Sequence, residues 1–271
     1  MPTQVRGQIA PALDPFVAAV GYSEGHLPHA RELAMPSGTV QLLVNLHRDE
    51  LHSYPATGTG HTGMQSIRGA ALQGPFTSPA IIDTAHQREI IWVAFRFGGS
   101  YPFFGPDAVA AHDLMIGLED LWGSDGATLR ERLLEVPTAA GKLQAVQDAL
   151  LTHAIRPLAR DPGVAAGAAA LHEGRTVAAA ADSLGWTMKR LTRRFSAQIG
   201  LTPKRFARVR RFQRVLRRSA DPITPIDWAE LAVDCGFYDQ AHLIHEFRAH
   251  AGTTPAAYAP RSPAERNHVP V

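Results

Sequence analysis

One pattern of small, apolar and turn residues occurs twice between Thr176 and Tyr258, and it constrains the fold more than any other feature. From the leucine onward each element recurs 52 positions later, and the alanine and first glycine recur 51 positions later. The copies are Ala181, Gly185, Leu191, Phe195, Gly200, Thr202, Pro203 and Phe206, then Ala232, Gly236, Leu243, Phe247, Gly252, Thr254, Pro255 and Tyr258. Because chance rarely matches eight positions in order, the sequence predicts two copies of one structural unit.

Each copy has the residues of a helix-turn-helix. A small alanine lets two helices approach, and the glycine four residues later takes the left-handed turn. The leucine and phenylalanine, at i and i+4, bury one face of the second helix, here called the recognition helix. Threonine followed by proline then supplies an N-cap and a first helical residue, so a further helix is expected after each copy. Recognition helices are predicted at about 187–199 and about 239–250.

Residues 203–219, between the two copies, predict one helix of 17 residues. At about 1.5 Å per residue such a helix is about 25 Å long. Its apolar stripe consists of Phe206, Val209, Phe212, Val215 and Leu216, and its other faces carry Lys204, Arg205, Arg208, Arg211, Arg214 and Arg218. A rod of that length can hold two recognition helices about one DNA turn apart, or about 34 Å. One chain is therefore expected to contact two successive major grooves.

Charge in the same region points to nucleic acid. From Trp186 to Arg218 there are 12 Lys and Arg and no Asp or Glu. Residues 161–271 hold 16 basic and 10 acidic residues, a net charge of +6, whereas the first 160 residues hold 11 and 15, a net charge of −4. Most charge runs are solvated surface. On a helix-turn-helix, however, a basic face neutralises phosphates and releases counterions, so the sequence predicts binding to double-stranded DNA.

The doubled pattern resembles the carboxy-terminal module of the AraC/XylS family of bacterial transcription regulators. The second half of that module typically reads G-F-x-D-x-x-H-x-x-x-x-F and then G-x-T-P-x-x-Y, which this chain matches from Gly236 to Tyr258. The segments Gly117–Gly123 and Phe95–Phe97 are similar to a subgroup with an uncharacterised, DUF6597-like amino-terminal domain. The resemblance implies a regulator of promoter DNA that responds to a small-molecule effector and, if it is an activator, contacts RNA polymerase.

The DNA contacts are predicted from the faces of the recognition helices opposite the buried leucine and phenylalanine. Base contacts are assigned to Lys189, Thr192 and Arg193, which match the family's base-reading positions, and to Gln240, Ala241 and His245. Arg193 can donate two hydrogen bonds to guanine, and Gln240 can pair with adenine. Glu246 and Arg248 are expected alongside. Phosphate contacts are assigned to Thr187, Arg190, Arg194, Lys204, Arg205 and His242. The more basic first unit is expected to supply most of the affinity.

Residues 1 to about 115 predict β-structure. Apolar or β-branched runs at 40–46, 66–72, 80–85 and 90–97 are separated by Gly, Pro, Asn, Ser and Asp turns. We expect a small barrel or sandwich, cupin-like as in the arabinose-responsive relatives, with helices from about residue 107. The predicted fold class is α+β: an amino-terminal β-barrel or cupin-like domain with flanking helices, then an all-α domain of two helix-turn-helix units joined by a long helix.

Three parts of the chain are expected. Residues 1–158 form a β-rich sensor and dimerisation domain, residues 159–262 the DNA-binding domain, and residues 263–271 a flexible tail. Helices at 128–135 and 139–155 carry apolar stripes that either pack on the barrel or pair with a second copy in a homodimer. Asp161 and Pro162 begin an alanine-rich helix after a linker at 160–163. Thr224 and Pro225 start the second unit, with Asp227 completing a capping box.

The amino-terminal half lacks the motifs of an enzyme. It has no Gly-rich phosphate loop with a lysine, no Gly-x-Ser-x-Gly, no Cys-x-x-Cys and no His-x-His. His47, His52, His61 and His86 can converge in space, but without ligand spacing we predict no metal, no cofactor and no catalysis. A small-molecule site is predicted at Phe95, Arg96, Phe97 and Tyr101, with Arg96 as an anion anchor. The alternative is that these aromatic residues belong to the core.

Cysteine content and hydropathy bear on location. The one cysteine, Cys235, cannot form an internal disulfide, and neither an export signal nor a run of membrane-spanning length is visible. A cytoplasmic protein without a membrane partner is therefore expected. Three functional interpretations stay open: a ligand-responsive regulator, a constitutive regulator whose amino-terminal domain is purely structural, and a cupin-like metal enzyme tethered to DNA.

Overall fold

The computed structural model describes residues 3–55, 63–220 and 226–271, which form two antiparallel β-sheets followed by a helical region. The described strands are β1 (Thr3–Arg6), β2 (Val17–Glu24), β3 (Arg31–Ala34), β4 (Gln41–Asn45), β5 (Glu50–Pro55), β6 (Gln65–Arg68), β7 (Ala70–Gln73), β8 (Ala80–Asp83), β9 (Glu89–Phe95), β10 (Met115–Gly117) and β11 (His268–Pro270). The described α-helices are α1 (Leu118–Trp122), α2 (Ser124–Leu134), α3 (Ala139–Thr152), α4 (Pro162–His172), α5 (Val177–Ser183), α6 (Met188–Ile199), α7 (Pro203–Ser219), α8 (Trp228–Asp234) and α9 (Gln240–Ala251). Short 3-10 helices lie at Ala108–Ala111 and Pro255–Ala257.

The two sheets face each other across the amino-terminal domain. One has the strand order β1-β2-β9-β4-β7-β10 and the other β11-β3-β8-β5-β6. The apolar run at 66–72, predicted as one strand, is divided between β6 and β7 in different sheets. Gly69, with a left-handed φ of 60°, turns the chain between them. Along β9 the buried residues Ile91, Val93 and Phe95 alternate with Ile90, Trp92 and Ala94, which face the space between the sheets.

The outer face of the larger sheet is covered by α1, α2 and α3. Leu129 and Leu133 of α2 and Val146 and Leu150 of α3 are buried in one core with the strand residue Phe95. The apolar stripes of these helices are therefore packed within the chain, which is the intramolecular alternative of the two that the sequence left open. Homodimerisation stays a prediction, and it would need another surface.

The helical region is organised around α7, which covers the residues predicted from the sequence, 203–219. Phe206, near its start, is buried in the core of the first helix-turn-helix, together with Leu191 and Phe195 of α6. Phe212 and Leu216, two turns later, are buried in the core of the second, together with Phe247 of α9. One helix thus contributes to both cores, which fixes the two units relative to each other.

The duplicated glycines take the left-handed conformations that the pattern predicts. Gly185 and Gly236 make the turns of the two units with φ of 61° and 83°, and Gly200 and Gly252 end α6 and α9 with φ of 87° and 68°. The second unit departs from the prediction at two points. The N-cap of α8 is Asp227, which accepts from the amides of Ala229 and Glu230, while 221–225 lie outside the described residues. The second Thr-Pro pair begins only a three-residue 3-10 helix.

The last residues are not the flexible tail that the sequence analysis predicts. In β11, His268 pairs with Ala34 and Val269 with Leu33, so the end of the chain joins the smaller sheet of the amino-terminal domain. Side chains of this carboxy-terminal segment, residues 261–271, also donate hydrogen bonds to the carboxylate of Glu32, which would be costly to bury unpaired. Arg261 donates to it at 2.7 Å and His268 lies at 3.0 Å.

The helical domain docks on the amino-terminal domain through backbone carbonyl groups. Four of them accept from side chains that come after residue 159: Pro36 from Gln213 at 2.8 Å, Ser37 from Arg210 at 3.1 Å, Thr77 from His250 at 2.7 Å, and Phe97 from Arg160 at 2.8 Å. Three of these donors lie on α7 and α9. The positions of α7 and α9 are therefore tied directly to the sheets.

Candidate DNA-binding surface and interior cavity

The first recognition helix, α6, presents its predicted base-reading residues to solvent. Its N-cap is Thr187, whose side-chain oxygen accepts from the amide of Arg190 at 3.2 Å. Leu191, Phe195 and Ile199 bury one face of the helix. Lys189 and Arg193 on the opposite face are exposed, and Thr192 beside them is partly exposed. The helix therefore offers three polar side chains from one rigid face, as base reading in a major groove requires.

Three residues assigned to phosphate lie exposed around this face. Arg190 is held with its guanidinium 4.7 Å from the centre of the Trp186 ring, an arrangement that orients the cation. Lys204 and Arg205 are exposed in the first turn of α7, after the N-cap Thr202. All three are available for phosphate contacts, which position a protein on the duplex without reading sequence.

Arg194 has a partner that the sequence did not reveal. Its Nε donates to Asp161 Oδ2 at 2.8 Å, and Asp161 also caps α4 through the amides of Gly163 and Val164. Burial raises the pKa of the Asp161 carboxyl, but the hydrogen bonds from Val164 and Arg194 outweigh it and leave the pKa lowered. Arg194 therefore ties α6 to the start of α4, and its predicted phosphate contact would have to compete with this ion pair.

Several arginines of α7 hold the domain together instead of facing DNA. Arg208 makes two hydrogen bonds of 2.8 Å to Glu246 of α9, and Arg218 pairs with Asp234 of α8. Arg211 donates to the carbonyl of Gly236, and Arg214 to that of Cys235. Burial lowers the pKa of the Arg210 guanidinium to about 10. Because these arginines pair with groups elsewhere in the helical domain, fewer than the 12 cations counted in the sequence are available to DNA.

The second recognition helix, α9, begins after the N-cap Asp239, which accepts from the amide of His242 at 2.7 Å. The predicted base-reading residues Gln240, Ala241 and His245 are all exposed. The amide of Tyr238 donates to His242 Nδ1 at 3.2 Å. In the neutral ring the hydrogen is then on Nε2, which can donate to a phosphate.

Two further residues of this unit differ from expectation. Glu246 was expected beside the outward residues of α9, but it is buried. Arg208 pairs with its carboxylate, which would be costly to bury alone. Tyr238, which was not among the predicted contacts, is 88% exposed immediately before the N-cap. The available signal in the sequence was its position, directly before the N-cap residue of the second recognition helix.

The structure does not bring the four predicted ligand residues into one pocket. Phe95 is buried in the core, with its ring 5.9 Å from that of Phe104. Arg96 donates to the carbonyl oxygen of Asp14, Phe97 packs on Phe206 of the helical domain, and the ring of Tyr101 lies under the guanidinium of Arg156. The side chains diverge because successive residues at a strand end point in opposite directions.

A cavity lies between the two sheets. Its volume is about 390 Å³, which is within the range of small-molecule sites. Its apolar wall comes from the inner faces of the sheets and its polar wall includes part of the carboxy-terminal segment. The residues concerned are Leu43, Phe76, Ile82, Ile90, Trp92, Ala94 and Met115, and then Gln41, His52, Ser53, Gln73, Arg261, Arg266 and His268.

The carboxylate of Glu32 lies at the end of the cavity that the carboxy-terminal segment lines, and the charged groups at this end surround it. Burial raises the pKa of its carboxyl, but hydrogen bonds from His268 and His29 and the charge of Arg261 lower the pKa to about 2. The carboxylate is thus ionised at neutral pH and satisfied by three donors from two parts of the chain. Any ligand entering this end of the cavity would meet the carboxy-terminal segment together with β3.

Four histidines were identified in the sequence as able to lie close together in space. Two of them, His52 and His86, are in contact. Their Nδ1 atoms are 3.0 Å apart. His47 is exposed on the turn after β4, and His61 lies outside the described residues.

Comparison with known families covers both parts of the chain. Residues 180–261 match the family described as "Helix-turn-helix domain", and residues 8–116 match the family described as "Domain of unknown function (DUF6597)". The first match spans α6, α7 and α9, and the second spans β2 to β9. A comparison of the sequence with curated proteins finds no match.

Similar solved structures include ToxT from Vibrio cholerae, at 9% identity and a TM-score of 0.46, covering 95% of this chain and 97% of that one. ToxT bound to an unsaturated fatty acid has 10% identity and a TM-score of 0.43, over 85% of this chain and 90% of that one. The xylose-binding transcription activator XylR has 16% identity and a TM-score of 0.31, over 43% and 38%.

None of the helices in the described ranges is long and apolar enough to cross a membrane. The helix-turn-helix match coincides with the two recognition helices and the long helix between them. The chain therefore carries an AraC-type helix-turn-helix DNA-binding domain at its carboxy-terminal end and a DUF6597 domain at its amino-terminal end.

Proposed function

We propose that this regulator reads promoter DNA with α6 and α9 in successive major grooves. Lys189, Thr192 and Arg193 contact bases from α6, and Gln240, Ala241 and His245 contact bases from α9. The observation that supports this most directly is that each set lies on the exposed face of a capped helix whose opposite face is buried. Phosphate contacts come from Thr187, Arg190, Lys204, Arg205 and His242, with Arg194 secondary to them and Tyr238 added to the set.

A titration with the promoter region upstream of its own gene tests this function. The full chain should bind that DNA more tightly than random DNA of the same length, and log K should fall linearly with log salt. Three of the proposed phosphate contacts are made by cations, Arg190, Lys204 and Arg205, which predicts a slope of about −2.7, at about −0.9 per neutralised phosphate. Equal affinity for both DNAs at every salt concentration would contradict sequence-specific regulation.

We further propose that a small molecule bound in the interior cavity modulates DNA binding. The cavity wall includes Arg261, Arg266 and His268, which follow α9 in the chain. Gln213 of α7 also donates to the side chain of Asn267 at 2.9 Å, so this segment contacts the long helix. A ligand that binds the protein more tightly when this segment is in one position than in another favours that position. Because the segment contacts α7, the position of α7 changes with it.

Cavity filling tests the modulation. The dye 1-anilinonaphthalene-8-sulfonate serves as a first probe, because the cavity combines apolar walls with Arg6, Arg88 and Arg261. Ala94→Phe should reduce dye binding, and Val109→Phe, at an exposed position outside the cavity, should not. Compounds that displace the dye should change DNA affinity in the natural chain and not in Ala94→Phe. If no compound that displaces the dye changes the DNA affinity of the natural chain, the amino-terminal domain is a scaffold.

The remaining partners follow from the same proposal. A regulator of promoter DNA works in the cytoplasm, and it contacts RNA polymerase if it activates. A homodimer stays a hypothesis. It would need a surface other than the apolar stripes of α2 and α3, which are packed within the chain. Light scattering at micromolar concentration, with the natural chain, distinguishes a monomer from a dimer.

A further inference from the structure

A cluster of two histidines and one aspartate lies beside the interior cavity. The Nδ1 atoms of His52 and His86 are 3.0 Å apart, and Asp83 Oδ2 is 3.7 Å from His86 Nδ1. One atom from each of the three residues lies within 4.8 Å of the other two. His52 is buried, Asp83 is 9% exposed and His86 is partly exposed. The family comparisons assign nothing to these residues.

The strand register builds this cluster. β5 and β8 are antiparallel neighbours, and the pairing of Ser53 with Ile82 brings His52 beside Asp83. His86 follows three residues later, in the turn that leads to β9. The fully buried Asn45 donates to the carbonyl oxygens of Glu50 and His86, at 2.6 and 2.9 Å, and so fixes the turn against β5. The three groups are therefore held by backbone pairing and by one buried amide.

The carboxylate of Glu50 sets the orientation of His52. Glu50 Oε2 lies 2.6 Å from His52 Nε2, which must therefore carry the hydrogen. In the neutral ring the lone pair is then on Nδ1, the atom that faces His86 and Asp83. Metal-binding histidines commonly donate their other N–H to a carboxylate in this way, which fixes the tautomer and raises the basicity of the ligand nitrogen.

The distances suit a small divalent ion. Two ligand atoms that each lie about 2.1 Å from an ion with tetrahedral angles are separated by about 3.4 Å. The observed separations of 3.0 and 3.7 Å fall on either side of that value. A hydrogen bond between the two rings also accounts for 3.0 Å, and Asp83 Oδ2 would then lie within ion-pair distance of a protonated His86, so the metal titration decides between the two arrangements. The other oxygen of Asp83, Oδ1, accepts from the amide of Ala85, so Oδ2 is the one directed at the rings.

We propose that His52, His86 and Asp83 bind one divalent first-row transition-metal ion, with Glu50 holding His52 through its second nitrogen. Two imidazoles and one carboxylate form a ligand set that Zn²⁺ and Fe²⁺ share. Three protein ligands leave at least one coordination position open. Of the three ligands, His52 also lines the interior cavity. Binding of a cavity ligand to the ion rests on the proposed effector function, whereas the metal site itself does not.

The test is a metal titration of the full chain without an affinity tag, stripped with a chelator. Zn²⁺ alone is added in competition with a chromophoric chelator, in the absence of DNA and of any effector. We expect one Zn²⁺ per chain, and Co²⁺ in its place should give visible absorption bands of a low-coordinate site. Binding of less than one equivalent, or of several equivalents without saturation, would overturn the proposal.

Variants locate the ion. His86→Ala and Asp83→Asn should each weaken Zn²⁺ binding at least tenfold, and Glu50→Gln about tenfold, because it loses only the orientation of His52. His86 is the safer truncation, since its side chain is 42% exposed. His47→Ala is the matched control: His47 is a neighbouring exposed histidine outside the cluster, and its loss should leave the affinity unchanged.

Circular dichroism of each variant separates loss of a ligand from loss of the fold. A folded His86→Ala protein that binds Zn²⁺ as tightly as the natural chain would refute the site, as would an equal loss in His47→Ala. Because the titration contains no DNA, a failure here leaves the DNA-binding function untouched.

Discussion

His250 Nδ1, in the last turn of the second recognition helix, lies 2.7 Å from the carbonyl oxygen of Thr77 in the amino-terminal domain. Thr77 is itself held by Asp113, which accepts from both its amide and its hydroxyl group. The side chain of His250 is buried, and its Nε2 has no hydrogen-bond partner among the described residues. The recognition helix is thus docked on the sheet domain by a histidine that must stay neutral.

This contact predicts that acid destabilises the docking of the two domains. Burial lowers the pKa of His250, and the charges of Arg208 and Arg211 lower it further, whereas the hydrogen bond to Thr77 and the charge of Glu246 oppose this shift. Burial and the charges of Arg210, Arg217 and Arg214 lower the pKa of His172, with Glu173 opposing them. A lowered folded-state pKa means stability that is complete above about pH 6.5 and is lost as pH falls through the folded value.

Thermal melts between about pH 8 and about pH 5.5 measure this loss, and Tm should fall as pH falls. His172→Gln should show a shallower fall, because the amide oxygen can still accept from Arg210 Nε without titrating. His26→Gln, at an exposed position, should behave like the natural chain. An unchanged pH dependence in His172→Gln would contradict the assignment to His172.

Replacement of Gly200 by alanine should damage docking as well as helix ending. Gly200 ends α6 with a φ of 87°, and a Cβ there would lie 2.7 Å from the carbonyl oxygen of Ala108 and 2.6 Å from a carbon of Pro75. Gly185 has a similar φ of 61° but nothing within 4 Å of the added atom. Gly185→Ala should therefore cost about 1 kcal/mol of backbone strain, and Gly200→Ala about 1–3 kcal/mol more. Urea unfolding of both variants gives the difference, and equal costs would argue against docking at Gly200.

Loss of Arg208 should destabilise the second unit. Its two hydrogen bonds to Glu246 join α7 to α9, and without them the buried Glu246 carboxylate loses its partner. Because the Arg208 side chain is 40% exposed, solvent screens the pair, so we expect a cost of only about 1–2 kcal/mol. Arg217→Ala, at an exposed position of the same helix, should cost less than about 0.5 kcal/mol. Urea unfolding decides between them, and equal costs would mean that the ion pair contributes nothing.

Glu32→Gln should release the carboxy-terminal segment. A neutral amide cannot satisfy Arg261, His268 and His29 together as the carboxylate does. Hydrogen exchange of residues 261–271 should therefore become faster, with little change in α6. In the natural chain the same segment should stay protected as pH falls until the carboxyl titrates, with a folded pKa of about 2. Unchanged protection in Glu32→Gln would show that β11 is held by its backbone pairing alone.

The helical half of the fold was predictable because its signals are local. Leucine and phenylalanine at i and i+4, threonine caps and glycine turns act within a few residues, and α6 and α7 begin and end where the sequence indicates. The partners of Arg194, Arg208 and Arg214 were not predictable. Each is supplied by an element 21 to 38 residues away.

The amino-terminal half was less predictable for the same reason. Its short strands gain stability from partners far along the chain, so β1, β3 and β5 had no clear local pattern. The cavity depends on two sheets facing each other, and the aromatic run at 95–104 indicated hydrophobic packing without showing which residues would line a site. The convergence of His52 and His86 likewise required the register of β5 with β8.

The most direct test of the account is the binding of Arg193→Ala to an operator and to a set of operators with single base changes. Arg193 lies exposed on α6 with no hydrogen bond to another described residue. We predict a loss of about 1–3 kcal/mol in binding and relaxed preference at one base pair, with a salt slope changed by less than about one unit. Arg190→Ala should instead weaken binding to all operators alike. Retention of full affinity and base preference by Arg193→Ala would contradict base reading by α6.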